Sequence, residues 1–387
     1  MFKIQTLNRI ADVIYEVLSQ DRYIIGSDMD NPDALIVRSA SLHSMEFPQN
    51  LIAIARAGAG VNNIPIDRCS QAGIAVFNTP GANANAVKEM VICALILASR
   101  NVIQSIEWTR TLKGKGSEVP KLVEKGKGQF VGPEIKGKKL GVIGLGAIGV
   151  LVANAASSLG MKVMGYDKYM SVESAWQLSR AVRRATEDQV IRECDYITFH
   201  TPLTDETRGR INKDLIASMK RGATILNFSR AELAVTEDVI EALESGQLSH
   251  YVVDFPTDDM IGVPNAICLP HLASGTPESE ENCASMAAEQ LADYIENGNI
   301  KNSVNLPDCN MPRSGVERIA VIHRNVPNTI SRITASLADR SINIANMISN
   351  SKKEYSYTLM DIDESVDESL IEKIEQMDGI IRVRLIR

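Results

Sequence analysis

A chain of 387 residues is too long for one ordinary hydrophobic core and indicates two or three domains. Its composition, 44% hydrophobic and 23% charged, is that of an ordinary folded protein and argues against extended disorder. A net charge of -7 with both signs intermixed argues against a nucleic-acid or anionic-membrane surface, so a small-molecule partner is expected.

The cysteines and the N-terminus bear on the compartment. The six cysteines show no Cys-x-x-Cys spacing, and several lie in apolar runs such as residues 91–95, so we predict reduced core residues. The N-terminus lacks a basic region followed by a long apolar run, and no apolar run approaches the ~18 residues of a membrane span. A cytoplasmic protein without a membrane segment is therefore expected.

Short apolar runs closed by polar, Gly or Pro residues begin the chain, at Ala34–Val37, Leu51–Ile54 and Ile74–Phe77. They predict buried strands separated by helices. The apolar stretch Val87–Trp108 predicts one buried helix. The segment Lys113–Gly128 is rich in Lys and Gly and contains a proline, which predicts a surface loop.

From Lys139 onward, apolar runs alternate with helical spacers. Such alternation indicates a parallel sheet covered on both faces. A helix is predicted from Pro277 through Ile295, ending at the Asn-Gly pair that follows. The predicted strands of the sheet are Leu140–Ile143, Met161–Tyr166, Tyr196–Phe199, Thr224–Phe228, Tyr251–Val253 and Ala266–Leu269.

A further unit begins beyond Pro312. Its predicted order of strand, helix, strand, strand, helix and strand is that of a ferredoxin-like fold. Ile330, Ile333 and Leu337 lie at i, i+3 and i+7, so its first helix should present one face to the core. The predicted elements are Arg318–Ile322, Thr329–Ala338, Ile342–Ile348, Tyr355–Ile362, Asp367–Met377 and Ile380–Leu385.

These patterns predict an α/β protein with two doubly wound, Rossmann-like parallel-sheet domains and a C-terminal ferredoxin-like βαββαβ domain. The first domain is discontinuous and comprises residues 1–86 and 280–310. The second comprises residues 87–279, and the third comprises residues 316–387.

A Gly-x-Gly-x-x-Gly turn follows the first strand of the second predicted domain. Gly144 permits the tight turn, Gly146 allows the backbone to approach a pyrophosphate, and Gly149 allows the helix to pack on the strand. The helix N-terminus offers free N–H groups to the anion. Asp167 closes the next strand, at the spacing expected for a carboxylate that binds the adenosine ribose. The pattern predicts NAD; NADP stays open because Lys168 adjoins Asp167, and FAD would use a similar fingerprint.

Hydride transfer from a secondary alcohol needs a base for the hydroxyl proton, a cation for the substrate carboxylate and a group that tunes the base. Arg230 and His271 each follow a strand of the second domain, and Asp258 and Asp259 follow the strand that ends at Asp254. Taken singly, these residues could be a surface charge, a capping histidine and an acidic turn. Together at one sheet edge they predict a dehydrogenase site.

Three other histidines are weaker candidates: His43 lies in a polar turn, His250 begins a strand, and His200 ends a strand beside the cofactor. No His, Cys or carboxylate cluster has metal-ligand spacing, so no metal is predicted.

Further motifs accompany the glycine turn, namely Val37–Ser39, Arg56–Asn63, Asn78–Pro80, Cys194–Thr204 with Thr207, Leu226–Arg230 and Leu269–Leu272. Together they resemble the D-isomer-specific 2-hydroxyacid dehydrogenases, in particular the phosphoglycerate-type members that carry a C-terminal ACT domain. The resemblance covers nearly the whole chain. It implies that the first domain binds substrate, the second binds NAD and the third is an ACT regulatory domain.

The resemblance implies an Arg, Glu, His catalytic set, carried here by Arg230, His271 and either Asp258 or Asp259. Counting from Arg230 places the family glutamate at Asp259, whereas aligning on the preceding Phe-Pro pair places it at Asp258. In both cases Asp replaces Glu. The implied cofactor-binding positions are Gly144, Gly146, Ala147, Ile148, Gly149, Asp167, Thr201, Pro202, Thr207, Phe228, Ser229, Asp254 and Ala273, with Asp254 at the nicotinamide carboxamide.

The resemblance also implies that Arg38 and Arg56 bind the substrate phosphate and carboxylate, with Ala59 and Gly60 beside them. Ala59 stands where related enzymes often carry Thr, and Lys88 stands where a small residue is usual. The implied reaction is NAD-dependent oxidation of 3-phosphoglycerate in a homo-oligomer, a dimer or a tetramer. The alternatives are a reductase for hydroxypyruvate, glyoxylate or another 2-keto acid, and a non-catalytic NAD-sensing protein.

In the tail, His323, Asn325 and Asn343 resemble the serine-binding positions of ACT domains, while Asn328 replaces the usual Gly. The resemblance implies that they bind an inhibitory amino acid such as L-serine where two such domains pair. The alternative is a purely oligomerising domain.

Overall fold

The computed structural model describes residues 1–387, which divide into two compact units. The first unit comprises residues 1–83 and 277–387, and the second comprises residues 84–276. The C-terminal segment lies within the first of these units, and its assignment as a domain of its own stays a prediction.

The first unit contains a five-stranded parallel sheet. Its central strand segments are apolar and buried on both faces, as parallel sheets require. The elements are β1 (Phe2–Leu7), α1 (Ile14–Val17), β2 (Tyr23–Gly26), β3 (Ala34–Val37), β4 (Ala53–Arg56), α2 (Ile66–Gln71) and β5 (Ala75–Phe77). Their order in the sheet is β2-β1-β3-β4-β5.

The second unit contains a seven-stranded sheet whose strand pairs are all parallel. Its strands are β6 (Lys139–Ile143), β7 (Lys162–Tyr166), β8 (Arg183–Arg184), β9 (Tyr196–Phe199), β10 (Ala223–Asn227), β11 (Leu248–Val253) and β12 (Ala266–Cys268). Its helices are α3 (Ala84–Arg100), α4 (Val102–Arg110), α5 (Val119–Gly126), α6 (Ala147–Ser158), α7 (Val172–Gln177), α8 (Glu187–Glu193), α9 (Lys213–Ala217) and α10 (Thr236–Glu244). The order β12-β11-β10-β9-β6-β7-β8 reverses at β6, which creates the crevice where doubly wound sheets bind ligands. The predicted fold class is confirmed.

Two predictions for the start of the second unit are wrong. The predicted single helix is two helices, α3 and α4, because Asn101 adopts a left-handed φ of 48° between them. The predicted loop at 113–128 is largely helical, with α5 between the 3-10 turns Gly116–Glu118 and Lys127–Phe130. Its proline, Pro120, lies in the first turn of α5, where a missing N–H removes no helical hydrogen bond.

We call residues 102–130 the helical arm. No residue in its helices and 3-10 turns is buried. The arm is held together locally by Trp108, whose ring lies 5.4 Å from that of Phe130 and packs directly on Gly126. Apart from Leu112, which is buried, the apolar side chains of the arm therefore stay accessible.

The rest of the first unit is a long helix followed by a four-stranded antiparallel sheet with two helices. The elements are α11 (Pro277–Asn297), β13 (Glu317–Arg324), α12 (Thr329–Ala338), β14 (Ile344–Lys352), β15 (Tyr355–Ile362), α13 (Glu368–Glu375) and β16 (Ile380–Ile386). The sheet order β14-β15-β13-β16 is the predicted ferredoxin-like one. Ile333 and Leu337 are buried, but Ile330 is 38% exposed, so the core face of α12 is narrower than predicted.

Both faces of the antiparallel sheet are covered. One face, including Ile319 and Val321, packs on α12 and α13. The opposite face, including Ala320 and Ile322, shares a core with α11 and the parallel sheet of the same unit. This shared core explains why the C-terminal segment does not form a separate compact unit.

A buried ion pair fixes this arrangement at the end of α11. The guanidinium of Arg318 contacts the carboxylate of Asp361 at 2.5 and 2.9 Å, and both side chains are 0% exposed. Arg318 also donates to the carbonyl oxygens of Asn297 and Pro312. Burial alone would raise the pKa of Asp361, but hydrogen bonds from Arg318 and Ser314 outweigh it and lower that pKa below its ordinary value.

The cysteines and the helices give two further observations. None of the six cysteines forms a disulfide; Cys93 is exposed, contrary to the predicted core position, and Cys268 is half-buried. No helix of the chain has both the length and the apolar character that crossing a membrane requires.

We expect Asp361→Asn to lower the free energy of unfolding by about 3–5 kcal/mol, because Arg318 would remain buried without a counter-charge. Urea and thermal denaturation measure the loss. The matched control is Glu241→Gln, which removes the exposed Lys213–Glu241 pair and should change stability by less than about 0.5 kcal/mol.

The same pair predicts an acid dependence. Because the pKa of Asp361 is lowered in the folded state, its contribution to stability is complete above the ordinary carboxyl pKa and is lost as pH falls through the folded value. Equal stability loss for Asp361→Asn and Glu241→Gln would contradict the assignment.

Candidate active site

The glycine turn has the geometry that a dinucleotide needs. Gly144 has a φ of 93°, and a Cβ there would lie 2.7 Å from the carbonyl oxygen of His200. A Cβ on Gly149 would overlap the carbonyl oxygen of Gly144, so α6 packs on the turn as closely as glycine allows. At Gly146 a Cβ would meet no atom within 4 Å, which leaves open space at the apex for a pyrophosphate. The residues present therefore fit a dinucleotide, with Ala147 and Ile148 in the first turn of α6.

Asp167 is anchored to this turn. Its carboxylate accepts hydrogen bonds from the backbone N–H groups of Leu145, at 2.6 Å, and Tyr169, at 2.7 Å. The neighbouring Lys168 donates to the carboxylate of Glu206 at 3.2 Å. The basic residue next to Asp167 thus already has an acidic partner.

The loops after β9 and β10 bring the other predicted cofactor positions to the same edge. Thr207 donates to the carbonyl oxygen of Pro202 at 2.7 Å, which closes the loop that starts at Thr201. Ser229 donates to the carbonyl oxygen of Phe199 at 2.9 Å and ties the β10 loop to β9. The adjacent Phe228 is buried.

Sequence reasoning missed Asn227, which organises the approach to Arg230. It is fully buried, accepts from the N–H of Ser229 and donates to the carbonyl oxygen of Arg230 at 2.8 Å. The available signal was an amide residue between the apolar Leu226 and Phe228.

The backbone around His271 is set by Asp254 at the end of β11. The N–H of His271 donates to the carbonyl oxygen of Asp254 at 2.9 Å, and the Asp254 carboxylate accepts from the N–H groups of Leu272 and Ala273. Burial raises the pKa of this carboxyl, and the two backbone hydrogen bonds oppose the rise. His271 itself has a left-handed φ of 51°.

His271 differs from the other four histidines of the chain. Its side chain is exposed and its ring makes no hydrogen bond. Burial lowers the pKa of His200 to about 3 and also lowers the pKa of His250 and of His323, so these three stay neutral near pH 7. His43 bonds the carbonyl oxygen of Asn62 at 3.0 Å. His271 is therefore the one histidine whose ring is both exposed and without a hydrogen bond.

Neither candidate for the acidic partner bonds to His271. Asp258 and Asp259 are exposed residues of the 3-10 turn Asp258–Met260, and no hydrogen bond joins either of them to the His271 ring. The choice between them stays a prediction. The group that does touch His271 is Phe255, with ring centroids 4.3 Å apart, and sequence reasoning did not single it out.

The predicted substrate arginines of the first unit are neighbours. Arg38 follows β3 and Arg56 ends β4, and the Nε of Arg56 donates to the carbonyl oxygen of Arg38 at 3.1 Å. Gly58 has a φ of 152°, which favours glycine, and a Cβ there would also meet the Arg56 guanidinium. Arg38 also pairs with Glu280 of α11 at 2.7 Å, a partner that sequence reasoning missed.

The peptide that follows these arginines is also fixed. The carbonyl oxygen of Ala59 accepts from the side chain of Asn78 at 2.6 Å, and the next residue, Gly60, is half-buried. The turn therefore has a defined shape beside the two cations.

The predicted effector residues differ in accessibility. His323 is only 2% exposed, and its ring nitrogens bond the carbonyl oxygen of Arg324 and the hydroxyl of Thr358. Asn325 and Asn343 are exposed, and their amides donate to Lys353 and Asp363, respectively. The two asparagines, unlike the histidine, lie at the surface.

The chain is similar to known dehydrogenases. The family described as D-isomer specific 2-hydroxyacid dehydrogenase, NAD binding domain, matches residues 92–273. The D-3-phosphoglycerate dehydrogenase of Haemophilus influenzae is 29% identical, covering 88% of this chain and 83% of that protein. The protein of that name from Escherichia coli K12 is 30% identical, covering 87% and 82%.

Solved structures share the fold. The NAD+-bound 3-phosphoglycerate dehydrogenase of Entamoeba histolytica matches with a TM-score of 0.61 at 27% identity, over 79% of this chain and 98% of that one. D-2-hydroxyisocaproate dehydrogenase matches with a TM-score of 0.64 at 20% identity, over 79% and 100%.

Two glycine variants should separate binding from folding. Gly146→Ala should keep the unfolding free energy within about 0.5 kcal/mol, since its Cβ meets no atom, but should weaken NADH binding about tenfold or more by filling the apex. Gly149→Ala should lower stability by about 1–3 kcal/mol because its Cβ overlaps backbone. NADH fluorescence titration and thermal denaturation measure both effects. Unchanged NADH affinity in Gly146→Ala would show that the dinucleotide does not approach the apex.

Proposed function

Because the chain belongs to the D-isomer-specific 2-hydroxyacid dehydrogenases, we propose that it oxidises 3-phosphoglycerate to 3-phosphohydroxypyruvate, the first step of L-serine synthesis. As a member of this family it is an NAD-dependent oxidoreductase. The match to relatives named D-3-phosphoglycerate dehydrogenase over most of the chain carries the choice of substrate. The contact between Arg38 and Arg56 in this chain supports it.

The second unit supplies the cofactor contacts. The turn at Gly144–Gly149 would hold the pyrophosphate and Asp167 the adenosine ribose, while Asp254 would meet the carboxamide. NAD supplies the hydride acceptor when it is bound. The open apex at Gly146 supports this assignment.

The proton and charge chemistry belongs to His271 and Arg230. His271 takes the hydroxyl proton of the substrate, which its exposed ring with no hydrogen-bond partner can accept. Arg230 holds the substrate carboxylate and polarises the forming carbonyl through its planar fork. The roles of Asp258 and Asp259 remain predictions.

Arg38 and Arg56 suit a substrate that carries a phosphate as well as a carboxylate. Guanidinium groups form charge-assisted hydrogen bonds with both anions. Glu280 neutralises part of the Arg38 charge, but the two arginines together keep a net positive charge that attracts an anion. Hydroxypyruvate and glyoxylate carry no phosphate and would use the pair less.

We expect Arg38→Ala and Arg56→Ala each to raise KM for 3-phosphoglycerate about tenfold or more, and to change KM for hydroxypyruvate and glyoxylate little, because only a phosphorylated substrate engages both cations. NADH formation and consumption in steady state measure these values. Arg22→Ala is the matched control, since it removes another arginine that pairs with a glutamate of α11.

His271→Ala should lose most turnover and keep NADH binding.

Two outcomes would decide for the alternatives. Equal losses for phosphorylated and unphosphorylated substrates would favour a reductase for another 2-keto acid. No turnover with any substrate of the panel would favour a non-catalytic NAD-sensing protein.

The proposal includes a cytoplasmic homo-oligomer, a dimer or a tetramer. The accessible apolar side chains of the helical arm support association, because such surfaces are usually covered. The six free thiols support a reducing compartment.

Feedback control by L-serine is the regulatory part of the proposal. Since Asn325 and Asn343 are exposed, each Asn→Ala variant should weaken L-serine binding about tenfold, as measured by isothermal titration. Asn350→Ala is the matched control, because its exposed amide bonds only Asp308. Absence of L-serine binding to the unaltered chain would leave the C-terminal segment a purely oligomerising one.

A further inference from the structure

Phe255 lies between the two catalytic side chains of the second unit. Its ring centroid is 4.3 Å from that of His271, with the planes tilted by 44°. The guanidinium carbon of Arg230 lies 5.0 Å from the same centroid. One aromatic ring therefore contacts both groups that the proposed reaction uses.

The backbone at His271 is fixed, but its ring has no other anchor. Hydrogen bonds to Asp254 set the main chain from His271 to Ala273. The imidazole makes no hydrogen bond, and neither Asp258 nor Asp259 bonds to it. Rotation about the side-chain bonds of His271 is thus restricted on one side by the Phe255 ring.

The same ring supports Arg230. The Nη1 of Arg230 donates to the carbonyl oxygen of Ser229 at 2.7 Å, which holds one end of the guanidinium. The guanidinium carbon also lies over the Phe255 ring, whose negative face attracts the cation. An aromatic contact orients the group without occupying the donors that a carboxylate needs.

We propose that Phe255 is a positioning residue that orients His271 and Arg230 together. The inference rests on the proposed function, since it concerns the same two residues. A carboxylate would occupy one ring nitrogen, whereas this tilted ring contact leaves both nitrogens of His271 open to the substrate.

The kinetic test compares Phe255→Leu with Phe255→Tyr and Phe255→Trp. We expect Phe255→Leu to lower kcat about 10- to 100-fold, because a misplaced base and cation lose alignment, with KM for NAD unchanged. Tyr and Trp keep a ring and should restore kcat to within a few-fold. Asp258→Asn and Asp259→Asn should each lower kcat less than Phe255→Leu does.

Folding and generic loss of an aromatic side chain are controlled separately. Phe47→Leu removes a similar arginine contact, since Arg68 lies 4.4 Å from the Phe47 ring, and should leave kcat unchanged. Thermal denaturation and NADH affinity of Phe255→Leu should match those of the unaltered chain. If the thermal stability or the NADH affinity of Phe255→Leu drops strongly, Phe255→Tyr and Phe255→Trp become the deciding variants. Their failure to restore kcat would overturn the proposal.

A spectroscopic signature distinguishes failure of the inference from failure of the proposed function. In NMR spectra of the ring-labelled full chain, His271 signals, assigned through His271→Gln, should carry a ring-current shift that disappears in Phe255→Leu. If no substrate of the panel turns over, the proposed function is rejected. The ring-current shift still tests whether Phe255 contacts His271. Unchanged kcat in Phe255→Leu, a larger loss in Asp258→Asn or Asp259→Asn, or absence of the shift overturns the proposal.

Discussion

The buried ion pair between Arg318 and Asp361 is the constraint on which the first unit depends. Arg318 is attached by hydrogen bonds to the end of α11, to the segment before β13 and to β15 at once. Arg318 and Asp361 cannot separate without leaving an unpaired charge in an apolar interior, and the two carbonyl contacts bind the same guanidinium. The pair thereby joins the antiparallel sheet to the helix that packs on the parallel sheet.

The second unit solves a different problem, which is to place chemistry at one sheet edge. Because its strands are parallel, their carboxyl ends collect the glycine turn, Asp167, Arg230, Asp254 and His271. Buried groups such as Asn227 fix the backbone there, and the reactive side chains stay exposed. Rigidity and accessibility are thus divided between neighbouring residues.

The strands and the glycine turn of this edge could be predicted from the sequence because glycine positions and strand ends are local properties. The sequence predicted the helical arm poorly: Lys and Gly favoured a loop, although Pro120 sits where a helix tolerates proline. It could not predict that Phe255 rather than Asp258 or Asp259 would touch His271, because that contact depends on how two loops pack. Burial of His323 was equally invisible, since it depends on the helices that cover the sheet face carrying Ile319 and Val321 and on a bond to Thr358 of the neighbouring strand.

The shared core of the first unit also limits how this protein can be divided or recombined. The face of the antiparallel sheet that includes Ala320 and Ile322 is interior surface, contributed jointly with α11. A chain truncated after α11 would expose an apolar patch on that helix. The C-terminal segment, fused to another protein, would expose the complementary apolar patch. A substitution on one side of this shared core therefore requires a matching substitution on the other side. For the same reason, exchanging the C-terminal segment alone is a poor way to diversify this protein.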